Sequence, residues 1–208
     1  FYMNSVFVAL VTTVGQVITG VLAAYAFARM EFWGRDKVFM LFLATLMVPT
    51  QVTLIPTYIV MSQMGWIDSY QALIIPFIST AFSVFLLRQF FLTIPKELEE
   101  ASIMDGCSKL RFICSVLMPL AKPAIASVSL FGFLGSWNSY LWPLIVINSN
   151  QMRTLPIGLR YFVSQQGGGS EWHYLMAASL IVMLPVLIVF FAAQKQFIEG
   201  IARSGIKG

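Results

Sequence analysis

Charged side chains are scarce in this sequence: thirteen Lys and Arg and nine Asp and Glu make up 11% of 208 residues. A soluble domain carries about a quarter. With 58% hydrophobic residues and a mean hydropathy of +0.80, the chain reads as an integral membrane protein. Histidine is nearly absent, His173 being the only one, and Cys107 and Cys114 have no Cys/His cluster around them. Metal binding is therefore not expected, and the two thiols read as reduced and structural. A phosphate-binding loop is also lacking: Gly15 and Gly20 have its four-residue gap, but Val21 and Leu22 follow where lysine and a hydroxyl residue are needed. No nucleophile comes with a base and an orienting group, so an enzyme is not expected. The net charge of +4 and the pI of 9.2 would suit nucleic acid, but the charges sit in loops between apolar runs. No nucleic-acid partner is expected.

What is abundant is apolar length. At about 20 residues per crossing, the chain holds five spans, over residues 6–28, 38–61, 71–87, 124–147 and 174–193. The first contains no charge; its polar groups are threonine, Gln16 and two glycines, and it ends in Ala23-Ala24-Tyr25-Ala26-Phe27-Ala28-Arg29. The second is interrupted by Pro49 and Pro56, with Thr50, Gln51 and Thr53 between them. Proline removes a backbone donor, and a freed carbonyl at membrane depth must meet protein or water. A packing kink and a pathway lining fit this stretch equally. The third span contains Pro76 and ends at Arg88; the fourth carries Ser136-Trp137-Asn138-Ser139-Tyr140-Leu141-Trp142-Pro143. Polar groups at membrane depth are costly unless paired or hydrated. An aromatic belt accounts for Trp142 and Tyr140 as well as a pathway does, and Asn138 is either an interhelical hydrogen bond or part of a polar path. Gln51, Trp137, Asn138 and Tyr140 are the translocation-path candidates. Residues 148–172 read as the longest loop outside the polar island described next, with a glycine-rich tip at Gln165-Gln166-Gly167-Gly168-Gly169-Ser170.

Eight of the formal charges lie in one polar island, residues 95–123. Pro95 suits a first helical position, and Glu97, Glu99 and Glu100 favour the positive end of a helix dipole. Gly106 can close the helix in a left-handed conformation, so a helix is predicted over 96–105, followed by a bend and a second short helix. Leu98, Ala101, Ser102 and Asp105 share helical spacing, and the small pair Ala101 and Ser102 would let a partner approach closely.

The island resembles the signature of permease subunits of binding-protein-dependent ABC importers: Glu-Ala-Ala, three residues, glycine, nine residues, then an aliphatic residue and proline. Here it reads Glu100-Ala101-Ser102, Asp105-Gly106, then Val116, Met118 and Pro119, with Ser102 for the second alanine and Met118 for the usual leucine. Ala24-Tyr25-Ala26-Phe27-Ala28-Arg29, Arg88-Gln89-Phe90-Phe91, Trp137-Asn138 and Trp142-Pro143 extend the resemblance to the maltose-type carbohydrate permeases, specifically the smaller partner of the heterodimer. Asp68-Ser69-Tyr70 is also similar to the glycerol-3-phosphate branch.

The resemblance implies an all-α polytopic helix bundle of the type I ABC importer, in the bacterial inner membrane, as a single permease domain over 1–208. A first span ahead of the five is expected. The island would be a cytoplasmic coupling loop, with Glu97, Glu100, Ala101, Ser102, Asp105, Gly106 and Pro119 docking an ATP-binding subunit. The implied partners are a second permease, a dimer of ATP-binding subunits and an extracytoplasmic solute-binding protein, which Gln166, Gly167, Gly168 and Gly169 would contact. ATP and magnesium would belong to the ATPase, leaving this chain without a cofactor.

Charge placement agrees with this topology. With the island inside, eleven basic residues lie on the cytoplasmic side and only Arg153 and Arg160 outside. No predicted span holds an internal charged residue or histidine, which disfavours ion-coupled transport, so energy is expected from a separate ATPase. A phosphate ester would want a cationic site that the spans lack, which leans the expected solute toward a neutral sugar.

Overall fold

A run of 28 residues with no charge before its last member forms the axis of the bundle, helix α1 (Tyr2–Arg29). At 1.5 Å per residue it is about 42 Å long, more than the roughly 30 Å of a hydrocarbon core. The structure is a computed structural model that describes residues 1–164 and 172–204, with side chains described for 1–160 and 172–194. The helices that follow are α2 (Arg35–Ala44), α3 (Thr50–Gln63), α4 (Tyr70–Ile74), α5 (Ala81–Thr93), α6 (Glu97–Met104), α7 (Lys109–Phe112), α8 (Met118–Leu120), α9 (Lys122–Trp137), α10 (Leu141–Val146), α11 (Leu155–Ser164) and α12 (Trp172–Ser204). Among the described residues there is no strand, and the all-α expectation holds.

Helix α1 packs along both α5 and α9, and α12 packs on α9. Small residues make this close: Ala24 and Ala28 of α1 are buried with Val84, Leu87 and Phe91 of α5 and Val128 of α9. A second core gathers Ala72, Leu73, Trp142 and Val146. By length and apolar content, α1, residues 70–93 and the first 23 residues of α12 can each cross a membrane. Two bent pairs, α2 with α3 and 109–120 with α9, raise the total to as many as five.

The structure redraws the interiors of the predicted spans. Between α2 and α3 the chain turns by 102° at Pro49, because the residue before a proline is driven out of the helical region. Pro56, expected to interrupt the same span, stays inside α3. There Thr53 and Thr57 donate their hydroxyls to the carbonyls of Thr50 and Thr53, at 3.0 and 2.7 Å. Pro76 converts the chain to a tight 3₁₀ turn over Ile75–Phe77, and Thr80, accepting from the Ser83 N–H at 3.2 Å, starts α5. That helix runs on to Thr93, so Arg88 lies within it and not at its end. The fourth span stops at Trp137, ten residues short of the predicted end. Pro143 then falls in the first turn of the separate α10, where its missing donor is no loss. The predicted loop 148–172 contains α11. Gly158 of that helix sits so close to Phe1 that a β-carbon would stand 2.7 Å from the ring.

The island folds as a short helix, a turn and a second helical arm. Pro95 precedes the N-cap Lys96 and does not occupy the first helical position. The arm, 109–120, contains a five-residue π-helical stretch, Ile113–Leu117, and meets α9 at 85°. Pro123 lacks the N–H needed to continue the arm straight into α9.

Candidate functional site

Helix α6 begins with three glutamates in its first turn and is closed, past its C-cap Asp105, by Gly106, whose φ of 72° is the left-handed value that glycine tolerates. One side of it faces away from the protein. Glu97, Glu100 and Ala101 are exposed there, as are Asp105 and Gly106 beyond the helix and Pro119 on α8. Met104, not anticipated from sequence, is 88% exposed on the same side. Ser102 departs from the expected docking set: it is 9% exposed, and its hydroxyl donates to the Glu99 carbonyl at 2.8 Å. Two residues of α6 thus point inward, Ser102 and Glu99. The Glu99 carboxylate accepts the Tyr25 hydroxyl at 2.6 Å and stands 3.9 Å from the Arg29 guanidinium.

At mid-length of α1, Gln16 donates its amide to the Phe77 carbonyl at 2.9 Å, and Thr19 its hydroxyl to the Ile78 carbonyl at 2.6 Å. Both carbonyls belong to the break around Pro76, where helical partners are lost. Beside them lies a cavity of about 360 Å³ lined by Ser5, Gln16, Thr80, Ser83, Ser136, Ser139 and Thr154 among others. It adjoins a second of about 350 Å³ that Gln51, Asn138 and Tyr140 line with Thr50, Thr53 and Thr57. The two share Thr50, Phe77, Ser139 and Trp142, and among the described residues neither lining includes a charged side chain.

Three of the four path candidates therefore meet on one cavity. Trp137 does not. It is 1% exposed, stacked on Phe133 with centroids 5.5 Å apart, and donates its indole N–H to the Val182 carbonyl of α12 at 3.2 Å. It joins α9 to α12 and lines neither cavity. Trp142 is likewise buried, donating to the Ala72 carbonyl at 2.9 Å, so an aromatic belt does not describe it. Asn138 bonds to the Leu134 carbonyl of the helix it caps, at 2.9 Å, and not to another helix among the described residues. Sequence reading missed Gln16 as a lining residue, although a lone amide in the middle of a charge-free span was the available signal. Gln166, Gly167, Gly168 and Gly169 lie outside the described residues.

At the end opposite the island, Asp68 closes a polar clasp. Its carboxylate accepts the Ser149 N–H and hydroxyl, both at 3.0 Å, and the Asn148 N–H at 3.1 Å. These bonds, the Ser149 N–H foremost, hold the carboxyl below its usual range. Asn4 extends the clasp, donating to the Gln151 and Arg153 carbonyls and accepting from the Tyr70 hydroxyl.

Comparison with known proteins agrees with this architecture. The family model described as binding-protein-dependent transport system inner membrane component matches residues 16–203. The sn-glycerol-3-phosphate transport system permease protein UgpE of Pectobacterium atrosepticum is 37% identical over 202 residues, 97% of this chain and 72% of that protein. The arabinooligosaccharides transport system permease protein AraQ of Bacillus subtilis is 38% identical over 208 residues, all of this chain and 73% of the relative. In a crystal structure of a bacterial ABC transporter involved in import of the acidic polysaccharide alginate, one chain superposes with a TM-score of 0.83 at 27% identity, covering 94% of this chain and 74% of that one. A chain of the MetNI methionine ABC transporter shares the fold at a TM-score of 0.64 and 16% identity, over 93% and 91% of the two. The protein thus belongs to the binding-protein-dependent transport system inner membrane components, and is a multi-pass permease component of the ABC importers in the inner membrane.

Proposed function

We propose that this chain forms, with a second and different permease, the path by which an ATP-driven importer takes up a carbohydrate handed over by an extracytoplasmic solute-binding protein. The observation that carries this reading is the outward side of α6. Glu97, Glu100, Ala101 and Met104 stand exposed on a short helix projecting from the charged end of the bundle. A helix of eight residues is too short to be stable by itself, and it carries three exposed apolar side chains, Leu98, Ile103 and Met104, that a docked partner would cover. Residues 95–123 then act as the cytoplasmic coupling loop, docking on one of two ATP-binding subunits that hold the ATP and magnesium. Closure of those subunits displaces α6 and converts the path from inward-facing to outward-facing.

The cavities support a neutral, hydroxyl-rich solute. Their linings offer serine and threonine hydroxyls and the amides of Gln16, Gln51 and Asn138, beside the apolar faces of Phe77 and Trp142. A phosphate monoester is best held by arginine or lysine, and among the described residues neither lines them. Import of glycerol 3-phosphate is the second reading, favoured by the likeness to UgpE.

Co-purification in mild detergent tests the assembly. An ATP-binding subunit is expected with the wild-type protein, less of it with Glu100→Ala and none with Gly106→Pro; its absence from wild type overturns the proposal. Uptake by the reconstituted importer separates the solutes. Labelled oligosaccharide should be imported and resist competition by glycerol 3-phosphate, whereas the reverse pattern selects the second reading.

A further inference from the structure

The side-chain bonds that tie α6 to the bundle converge on the last turn of α1. Arg29 has a side chain only 2% exposed. Its Nη2 donates to the carbonyls of Phe91, at 2.8 Å, and Ile94, where α5 ends, and its Nη1 faces Glu99. One turn earlier on α1, the Tyr25 hydroxyl donates to Glu99 Oε1. Successive helical residues are about 100° apart, so Glu99 and its neighbour Glu100 point in different directions. Glu100 is exposed; Glu99 reaches back into the protein.

Withdrawing a guanidinium from water is costly, and apolar side chains could anchor a short helix without that cost. Here the cost is incompletely offset, since Arg29 Nε is buried without a hydrogen-bond partner among the described residues. What charged, directional bonds add is a fixed geometry between the groups they join. The joined element is α1, which carries Gln16 about 20 Å further along, between the cavity linings of α5 and α9. A rigid helix held at one end by α6 and lining the cavity at its middle connects the two places directly.

We propose that Tyr25, Arg29 and Glu99 form a latch that makes α1 move with α6, so that displacement of α6 reaches the cavity through these side chains and not through the connecting backbone alone. Glu99 is then a positioning residue. The proposal rests on the reading of α6 as the docking helix.

The test uses the complete importer in proteoliposomes with Tyr25→Phe, Glu99→Ala and Glu99→Gln. Two quantities are measured: amide hydrogen exchange across 97–104, and solute imported per ATP hydrolysed. Tyr25→Phe and Glu99→Ala are expected to retain the ATP-binding subunit, to exchange faster in α6, and to import roughly two- to thirtyfold less solute per ATP, the range by which residues along a coupling route act. Glu99→Gln still accepts from Tyr25 and should recover part of both. Wild-type values in Tyr25→Phe and Glu99→Ala would overturn the latch. So would a loosened α6 with unchanged solute per ATP, which would make these residues an anchor only. If wild type imports nothing with ATP, the importer reading fails, and amide exchange in α6 separately decides whether Tyr25 and Glu99 hold it.

Discussion

Gln16 and Gly132 show how much one contact can decide. A β-carbon at position 132 would collide with Gln16 Oε1, while the same amide donates to the Phe77 carbonyl. Gly132→Ala should therefore displace the Gln16 amide and leave the Phe77 carbonyl unpaired, lowering stability in detergent by about 1–3 kcal/mol. The double variant with Gln16→Ala should cost little more than Gln16→Ala alone, because each substitution removes the same bond to the Phe77 carbonyl. Thermal unfolding of the two single variants and the double variant checks this; strictly additive losses would contradict it. The individual residues were legible in the sequence, but their pairing across α1 and α9 was not. The same limit governed Trp137 and Asn138, adjacent polar residues that both suited a pathway. Helix rotation aims Trp137 at Phe133 and α12 and leaves Asn138 on the cavity. Likewise, of the small pair in the island, Ala101 faces outward and Ser102 inward.

Among the elements, local chemistry marked several breaks but not their angles, and the break after Trp137 inside the predicted fourth span was not foreseen. Pro49, Pro76, Pro123 and Gly106 each mark a boundary that forms, because a missing donor or a left-handed turn is a property of the residue itself. The 102° and 85° bends depend on what each segment packs against. Short elements joined this way need fastening, and the Asp68 clasp fastens the turn before α4 to the segment after α10. Because the Asp68 carboxyl is held below its ordinary value of 3.8, the clasp contributes stability fully above that value and loses it as pH falls through the lower folded-state value. Asp68→Asn should lower the melting temperature at neutral pH, with the difference from wild type closing as pH drops below about 3.8. Asparagine tolerates the positive φ of 60° at this position, so backbone strain does not confound the comparison. A difference independent of pH would show that the carboxylate is not the stabilising group.

At the scale of the whole molecule, the two ends of the bundle differ in charge. Arg29, Arg35 and Arg88 gather with Asp36 and Glu99 at the island end, whereas Arg153 lies beside Asn4 at the other. A membrane-impermeant maleimide should label the exposed Cys114 in inside-out vesicles only, and a Gln151→Cys variant should add labelling in right-side-out vesicles only. The opposite pattern would invert the orientation. Residence in a bilayer, the approximate number of crossings and the gathering of charge in the island were legible in the sequence by itself. They follow from the cost of placing each charge or apolar side chain in hydrocarbon or water, a cost that belongs to one residue at a time. Which amides line the cavity, which tryptophan is core and which glutamate turns inward to Tyr25 and Arg29 were decided by tertiary structure alone. Those outcomes depend on pairs of groups brought together from distant parts of the chain, and no single residue carries that information.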